Sequence, residues 1–322
     1  MKTSNAYETC TGCALCLLNC PVWRSKKDMT LTPYGRFKAM QWGSSTGEVP
    51  DGLNAGVDAC TLCGSCEVLC PVDNEITTIT LEERRKLSVI GERKSERYSR
   101  YLKKGGAVFD ANKVADKEVV LVAGKGCVED ALIEKAVALL GGSGKVCVIE
   151  ADMIVFESAY ASIEDEADAV RHIFKNAREV VLFEGLLLRP LREILPLSKK
   201  KVISIGERLL REPSIRRELL SSDLYIVDAR SYNLDHKRLL RLYNDLKKDV
   251  GFSMNLDLHR SAISLGREIF SSDDDNKKNV EAQARWILEG RSFERIVVEN
   301  PVDADIFRAL TEAPVTTLLE LI

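Results

Sequence analysis

From residue 118 onwards the chain alternates short apolar runs with longer amphipathic segments. The segments have apolar residues at helical spacing, at 128–140, 159–176, 234–249 and 280–288. The runs are as long as buried strands, at 119–123, 145–149, 180–183, 202–205, 224–227, 252–256 and 296–298. Alternating strands and helices form a parallel sheet that is covered on both faces. The pattern therefore predicts an α/β domain.

The first 105 residues have no such strand pattern. Pro33 and Gly35 predict a turn before a short helix that runs through Met40. Residues 79–95 are rich in Glu, Arg and Lys with interspersed apolar residues, which predicts a charged helix. On this helix Arg84 and Arg85 are expected on a solvated face, with contact to a partner as the alternative.

Two domains follow from these patterns. Residues 92–106 resemble a basic linker that ends in two glycines, so the boundary is placed near residue 105. We expect an α+β multidomain chain with a helical domain over 1–105 and the α/β domain over 106–322. The second domain divides into halves at 118–222 and 223–322.

Composition narrows the classes of function. The 322 residues are 45% hydrophobic and 30% charged, which is typical of a globular protein, and the net charge of -3 gives no support for a nucleic-acid partner. No apolar run approaches the roughly 18–20 residues of a membrane helix. Residues 1–8 are polar and lack the apolar core of a secretory signal. We therefore expect a cytoplasmic protein without a transmembrane segment of its own.

Eight of the ten cysteines lie in the first 70 residues, in one pattern that occurs twice. Three thiolates spaced two residues apart on a tight loop can reach three corners of one cube of iron and sulfide. Zinc usually takes two C-x-x-C pairs in one site, and disulfides belong to secreted chains, so both are disfavoured. The pattern C-x2-C-x2-C-x3-C-P comprises Cys10, Cys13, Cys16, Cys20 and Pro21, and then Cys60, Cys63, Cys66, Cys70 and Pro71.

The fourth cysteine of each motif predicts how the two motifs combine. In two-cluster ferredoxins this cysteine ligates the other cluster. Two [4Fe-4S] cofactors are therefore expected, the first held by Cys10, Cys13, Cys16 and Cys70, and the second by Cys60, Cys63, Cys66 and Cys20. Gly12 and Gly64 fit loops whose backbone must come close to inorganic sulfide.

The remaining candidate residues give no catalytic site. Cys127 and Cys147 are interpreted as small buried apolar residues and not as ligands. The sequence Gly124-Lys125-Gly126 lacks a complete nucleotide-binding pattern and is interpreted as an ordinary strand-to-helix turn. The three histidines fall on separate predicted helices or helix starts, where surface or packing roles are expected: His172, His236 and His259.

The doubled motif carries a family resemblance. Together with the helical insert and its Pro33-x-Gly35-Arg36 element, it resembles the iron-sulfur subunits of glycolate oxidase and anaerobic glycerol-3-phosphate dehydrogenase, and it is similar to heterodisulfide reductase electron-transfer subunits. Succinate dehydrogenase iron-sulfur subunits are more distant. Such relatives carry a duplicated cysteine-rich α/β region with adjacent cysteines. This chain has no adjacent cysteine pair. The resemblance therefore implies a degenerate copy of that region, kept for docking.

Three functions remain open. The favoured one is a non-catalytic subunit that relays electrons from a flavin-containing dehydrogenase or reductase subunit to an acceptor such as a quinone or a heterodisulfide. A membrane or quinone-reactive subunit is a further candidate partner, and through it the cytoplasmic chain could attach to the inner face of the membrane. The alternatives are a stand-alone oxidoreductase with its substrate in the α/β domain, and a scaffold subunit with structural clusters.

Overall fold

The computed structural model describes residues 6–92, 106–159, 163–257, 260–267 and 274–322. Over residues 6–92 the chain is helical. The predicted linker at 92–106 and the boundary near 105 lie almost entirely outside the described residues. The helices of this region are α1 to α5, namely Pro21–Lys26, Pro33–Thr46, Leu53–Asp58, Ser65–Val68 and Ile76–Val89.

Two of these helices differ from the prediction. Helix α2 begins at Pro33 as expected but continues to Thr46, where Gly47 ends it in a left-handed conformation. Helix α5 is the charged helix, and the expectation of a solvated face is wrong for Arg84, which is fully buried. Arg85 is partly exposed and forms an ion pair with Asp165. The burial of Arg84 follows from carbonyl groups that its guanidinium can reach, as described below.

After residue 106 the chain forms parallel sheets, which confirms the predicted fold class. The first sheet has the order β2-β1-β3-β4 and the second the order β6-β5-β9-β10, while β7 and β8 form a short antiparallel pair. The strands are β1 to β10, namely Val119–Gly124, Val146–Ala151, Glu179–Leu182, Val202–Ser204, Asp223–Ile226, Ser253–Met254, Leu256–Asp257, Ser261–Ala262, Arg295–Val298 and Val315–Thr317.

The two parallel sheets share one topology. In each sheet the strand that comes second along the chain forms one edge, next to the first strand. The third strand lies on the other side of the first, and the fourth forms the opposite edge. The structure divides the expected strand at 252–256 into β6 and β7, and it adds β8 and β10, whose two or three residues are too few for a periodic signal.

Helices connect these strands. The helix expected at 159–176 is shorter: Ala167–Ile173 is helical, residues 163–166 form a turn, and 160–162 lie outside the described residues. The helices of this region are α6 to α15, namely Asp130–Leu139, Met153–Ser158, Ala167–Ile173, Leu188–Ile194, Ile205–Leu209, Pro213–Arg217, Ala229–Leu234, His236–Val250, Asp274–Leu288 and Ala304–Arg308.

Strand alternation distributes the core over both faces of each sheet. Leu121 and Val181 of the first sheet share one apolar cluster with Tyr225 and Val297 of the second. Helices α6, α10, α11 and α13 also contribute to this cluster, so the two sheets share one core in which helices take part. On the opposite face of the first sheet, Val120 belongs to a cluster that also contains residues of the N-terminal region. Among the described residues, no helix is long and apolar enough to cross a membrane.

Gly185 lies where the two sheets meet, and its substitution tests this contact. A Cβ on Gly185 would lie 2.6 Å from Cα of Ser231, which belongs to helix α12 after the second sheet's first strand. We expect Gly185→Ala to lower the free energy of unfolding by about 1–3 kcal/mol through overpacking. The measurement is denaturant unfolding of the purified chain.

Gly144→Ala is the matched control, because its Cβ would meet no described atom within 4 Å. This change should alter the free energy of unfolding by less than about 0.5 kcal/mol. Equal stability of the two variants would show that the approach of Gly185 to Ser231 does not limit the packing of the sheets.

Candidate iron-sulfur site

The two cysteine loops adopt the same backbone conformation. In each loop the residues on either side of the second cysteine have a left-handed φ: Gly12 (76°) and Ala14 (60°) in the first, Leu62 (55°) and Gly64 (72°) in the second. Left-handed residues between right-handed ones turn successive N–H groups towards one side, which favours an anion such as a sulfide cube. The sequence had indicated only the two glycines.

The first ligand set comes together at the protein surface. Cys10, Cys13, Cys16 and Cys70 line one cavity, so the structure groups the first three cysteines of motif one with the fourth of motif two. Cys13 is exposed and the other three are half-buried. Burial, followed by the charge of Cys10, raises the pKa of Cys16 to about 12.

The second set is buried. Cys20, Cys60, Cys63 and Cys66 are each at most 9% exposed. Burial raises the pKa of Cys20 to about 12, with further contributions from the charges of Cys63 and Cys60. Burial also raises the pKa of Cys66 well above its ordinary value, and the charges of Glu67, Cys63, Cys60 and Cys16 add to the effect. The thiols of this set therefore lie near one another. Because Cys16 belongs to the other set, the two sets are neighbours, and which cysteines share a cluster stays a prediction.

The donor chemistry fits cubane clusters. The cavity of the first set is lined by four thiols and by uncharged residues such as Phe37 and Ile76. Thiolate ligands in such surroundings select soft metal centres, iron-sulfur clusters among them. Among the described residues no three His, Cys, Asp or Glu side chains lie close enough to hold a single metal ion. A cube of iron and sulfide spaces its four thiolates farther apart than one ion does, and the ligation itself stays a prediction.

Arg36 places a positive charge between the two sets. Its side chain is 1% exposed, and Nη2 donates to Sγ of Cys60 over 3.3 Å. Nη1 donates to the carbonyl oxygens of Leu31 and Gly56. The charge of Arg36 opposes the burial that raises the pKa of Cys16 and of Cys20, so it acts on both sets. A fixed guanidinium favours the more negative, reduced state of a nearby cluster.

Arg84 holds the start of the second loop. Its guanidinium donates to the carbonyl oxygens of Val57 (2.8 Å), Cys60 (2.6 Å) and Glu157 (2.6 Å). Glu157 belongs to helix α7 of the α/β domain. A fully buried guanidinium is costly unless its N–H groups are bonded, and this ring of carbonyl oxygens meets that need. Arg84 thereby connects the loop to α7, the helix that follows β2.

Asn233 holds the end of the same loop. Its Nδ2 donates to the carbonyl oxygen of Cys63 (3.2 Å) and to Oγ of Ser65 (2.9 Å), and its Oδ1 accepts from the N–H of Ala262 (2.9 Å). A Cβ on Gly64 would lie 3.1 Å from Cβ of Asn233. Close approach and positive φ therefore both require glycine at position 64.

Two further arginines of the α/β domain reach the cysteine motif. Arg230 donates through Nη2 to the carbonyl oxygen of Thr61 over 2.9 Å. Arg189 forms an ion pair with Glu67, a buried carboxylate that also accepts from the N–H of Thr77 at 2.7 Å. Sequence reasoning missed these contacts, because their partners lie more than 100 residues apart.

The other candidate residues lie elsewhere. Cys147 is half-buried in β2, and Cys127 is half-buried beside the 124–126 turn, where it lines a cavity instead of the core. Cys147 packs against the apolar core of the first sheet, as interpreted, whereas Cys127 lies in the wall of the cavity. His172 is exposed on α8 and His236 is half-buried at the start of α13, while His259 lies outside the described residues.

Crossed ligation predicts the outcome of Cys20→Ser. The wild-type protein should bind about eight irons per chain, and the variant should lose the cluster shared with Cys60, Cys63 and Cys66, leaving about four. Iron analysis and electron paramagnetic resonance of the anaerobically reconstituted protein give the measurement. Cys147→Ser is the control and should keep about eight irons. Loss of the surface cluster instead of the buried one would contradict crossed ligation.

The position of Arg36 predicts a change in potential. A hydrogen bond to a charged group contributes roughly 1.5–3 kcal/mol, which for one electron corresponds to roughly 60–130 mV. We expect Arg36→Gln to lower the reduction potential of the cluster that contains Cys60 by this amount, measured by spectroscopic redox titration. Arg36→Lys keeps the charge and should recover at least half of the shift. Equal potentials in all three proteins would show that Arg36 only supports the fold.

The comparison with known protein families agrees with this geometry. A family model described as a 4Fe-4S dicluster domain matches residues 6–74. No curated protein and no solved structure matches the chain. The match covers both cysteine motifs and the helices α1 to α3 between them. The N-terminal region is therefore an iron-sulfur domain of the ferredoxin type.

Proposed function

We propose that this protein relays electrons through two [4Fe-4S] clusters, the surface cluster on Cys10, Cys13, Cys16 and Cys70 and the buried cluster on Cys20, Cys60, Cys63 and Cys66. The iron-sulfur domain supports an electron-transfer role. Four thiolates per cube leave no iron site open for substrate, so the clusters suit transfer of single electrons. Crossed ligation would also keep the two clusters close together.

The observation that carries the proposal is the unequal burial of the two sets. Cys13 is exposed, whereas the other set is buried and its Cys60 belongs to the apolar cluster of the first sheet. Around the surface set, Leu15, Leu18 and Val72 are 42%, 50% and 39% exposed. Exposed apolar side chains around a redox centre are typical of a docking site for another protein. Electrons would therefore enter or leave by the surface cluster.

The partner at this face is, in our proposal, a flavin-containing dehydrogenase or reductase subunit. A flavin takes up two electrons and can release them singly, which two one-electron clusters can accept in turn. The acceptor would be a quinone or a heterodisulfide at a further subunit, and the complex would be cytoplasmic or bound to the inner face of the membrane. The sequence resemblance supports this assignment.

A second function, an oxidoreductase with its own ligand, is favoured by one observation. The α/β domain has a cavity of about 260 Å³ whose lining includes Arg230, the same side chain that donates to Thr61 in the second cysteine loop. A ligand in this cavity would lie next to the buried cluster.

Substitution of Leu18 tests the relay. The flavoprotein that co-purifies anaerobically from native cells would be isolated, and its electron transfer to the chain measured by stopped flow. We expect Leu18→Glu to slow transfer roughly ten-fold or more, because it brings a charge into an apolar interface. Leu220→Glu is the matched control, since Leu220 is also 50% exposed and lies before β5, outside the cysteine region.

Three outcomes decide the proposal. Slower transfer with Leu18→Glu alone supports docking at the surface cluster. Equal rates in both variants would overturn the docking face. Clusters that no co-purifying protein reduces or reoxidises would overturn the relay itself and favour a scaffold.

A further inference from the structure

A cavity between the two sheets lies at the carboxyl ends of their central strands. Its lining includes residues of the loops after β1, β3, β5 and β9, and its volume is about 260 Å³. An outer cleft of about 560 Å³ shares Cys127, Val128, Arg267 and Val302 with it. The shared residues lie between the two spaces, and we call them the neck of the cavity.

The topology explains why a cavity forms there. In each sheet the chain moves outward from its first strand to its second and then crosses to the other side for its third. The chain that leaves the first strand therefore runs to one side of the sheet, and the chain that leaves the third strand runs to the other. A crevice is left beyond the carboxyl ends of these two strands. In open α/β sheets, ligands bind in this crevice. Here the crevices of two sheets face one another across a single cavity.

Four of the charged groups in this cavity form two ion pairs. Arg230 contacts Oε2 of Glu184 through Nη1 over 3.2 Å. Arg267 contacts Oδ1 of Asp303 through Nε over 3.0 Å. Asp228 is the third carboxylate, and its Oδ2 accepts from the N–H of Ser231 at the start of α12. Three carboxyl groups thus face two guanidinium groups, so the lining has one acidic group more than it has basic groups.

One buried carboxylate oxygen needs a donor. Oε1 of Glu184 is inaccessible to solvent and has no hydrogen-bond partner within the part of the chain that the structure describes. Burial raises the pKa of Glu184 to about 7 and raises the pKa of Asp228 as well. An unpaired buried acceptor is costly, and a donor that carries positive charge would compensate it best.

The rest of the lining is mostly apolar, with Asn255, Ser264 and Asn300 as its uncharged polar members. Met153, Phe183, Ile226, Ile263 and Leu265 form walls around these polar groups. A dry cavity of about 150 Å³ holds benzene in another protein, so 260 Å³ accommodates a ring with a small polar substituent. The cavity therefore suits a ligand with one apolar part and one polar end.

We propose that this cavity binds a small organic cation, whose charged nitrogen donates to Glu184 and Asp228 and whose apolar body lies against Phe183 and Met153. Binding of this ligand does not depend on the proposed electron relay. Arg230, however, links the two sites, since the same guanidinium contacts Glu184 in the cavity and the Thr61 carbonyl of the second cysteine loop.

This link has a consequence that rests on the proposed function. A second positive charge near Glu184 makes the surroundings of the buried cluster more positive and so favours its reduced state. Coupling between two sites is reciprocal, so reduction of the cluster must tighten cation binding by the same factor. The affinity of the cavity for the cation would therefore depend on the redox state of the buried cluster.

Benzamidinium is the probe for the binding test, with benzoate and benzyl alcohol as anionic and neutral controls of similar size. Calorimetry on the cluster-loaded protein should show saturable binding of one benzamidinium and weaker or no binding of the two controls. Glu184→Gln should weaken binding roughly ten-fold or more, since it removes one member of a buried charged contact. Asp168→Asn, at an exposed ion pair, is the matched control and should leave binding unchanged.

Val302→Phe covers the case in which Glu184→Gln fails to fold. Val302 lies in the neck on a short turn, so a larger side chain should block entry without changing charge. Preferred binding of benzoate, or undiminished benzamidinium binding in both Glu184→Gln and Val302→Phe, would overturn the proposal.

Redox titration separates the coupling from the relay. Benzamidinium should raise the potential of the buried cluster but not that of the surface cluster, and its affinity should rise roughly five-fold or more on reduction. Benzamidinium binding with unchanged cluster potentials would overturn the proposed coupling but not the proposed binding site. Slow electron transfer with normal binding would count against the relay alone.

Discussion

The contacts made by the carbonyl groups of the second cysteine loop are the constraint on which the other features depend. Arg84, Arg230 and Asn233 each donate to a carbonyl of this loop, at Cys60, Thr61 and Cys63 in turn. A left-handed loop leaves such carbonyls without partners in its own backbone, and burial without partners would be costly. The N-terminal region and the α/β domain are therefore joined by the groups that shape the ligand loop.

This attachment separates the two cysteine sets by environment. The second loop is covered by the first sheet and by α12, while the first loop keeps an exposed cysteine and an apolar rim. In our proposal, electrons pass between a partner at the surface and the interior of the protein. The interior end of this electron path adjoins the cavity between the sheets, because Arg230 contacts the second cysteine loop and also lines the cavity.

The α/β domain has a repeated architecture without repeated chemistry. Both sheets have the same strand order, and residues of both belong to one apolar core that also includes helices. The loops at the carboxyl ends, however, carry Cys127 and Glu184 on one sheet and Asp228 and Asp303 on the other. Two similar halves thus enclose one cavity whose lining is asymmetric, and a ligand would have a defined orientation in it.

The sequence alone determined the features that depend on local spacing. Cysteines two residues apart indicate a cluster loop whatever surrounds them, and runs of β-branched and leucine residues indicate buried strands, so the α/β class and most strands could be predicted. Short strands such as β8 and β10 give too little periodic signal. Arg84 was expected on a solvated face, because the sequence of a charged helix does not indicate which distant carbonyl groups its side chains will contact. The burial of the second set, the charge of Arg36 between the sets and the cavity beside Arg230 were decided by the tertiary structure, since each depends on groups far apart in the chain that only folding brings together.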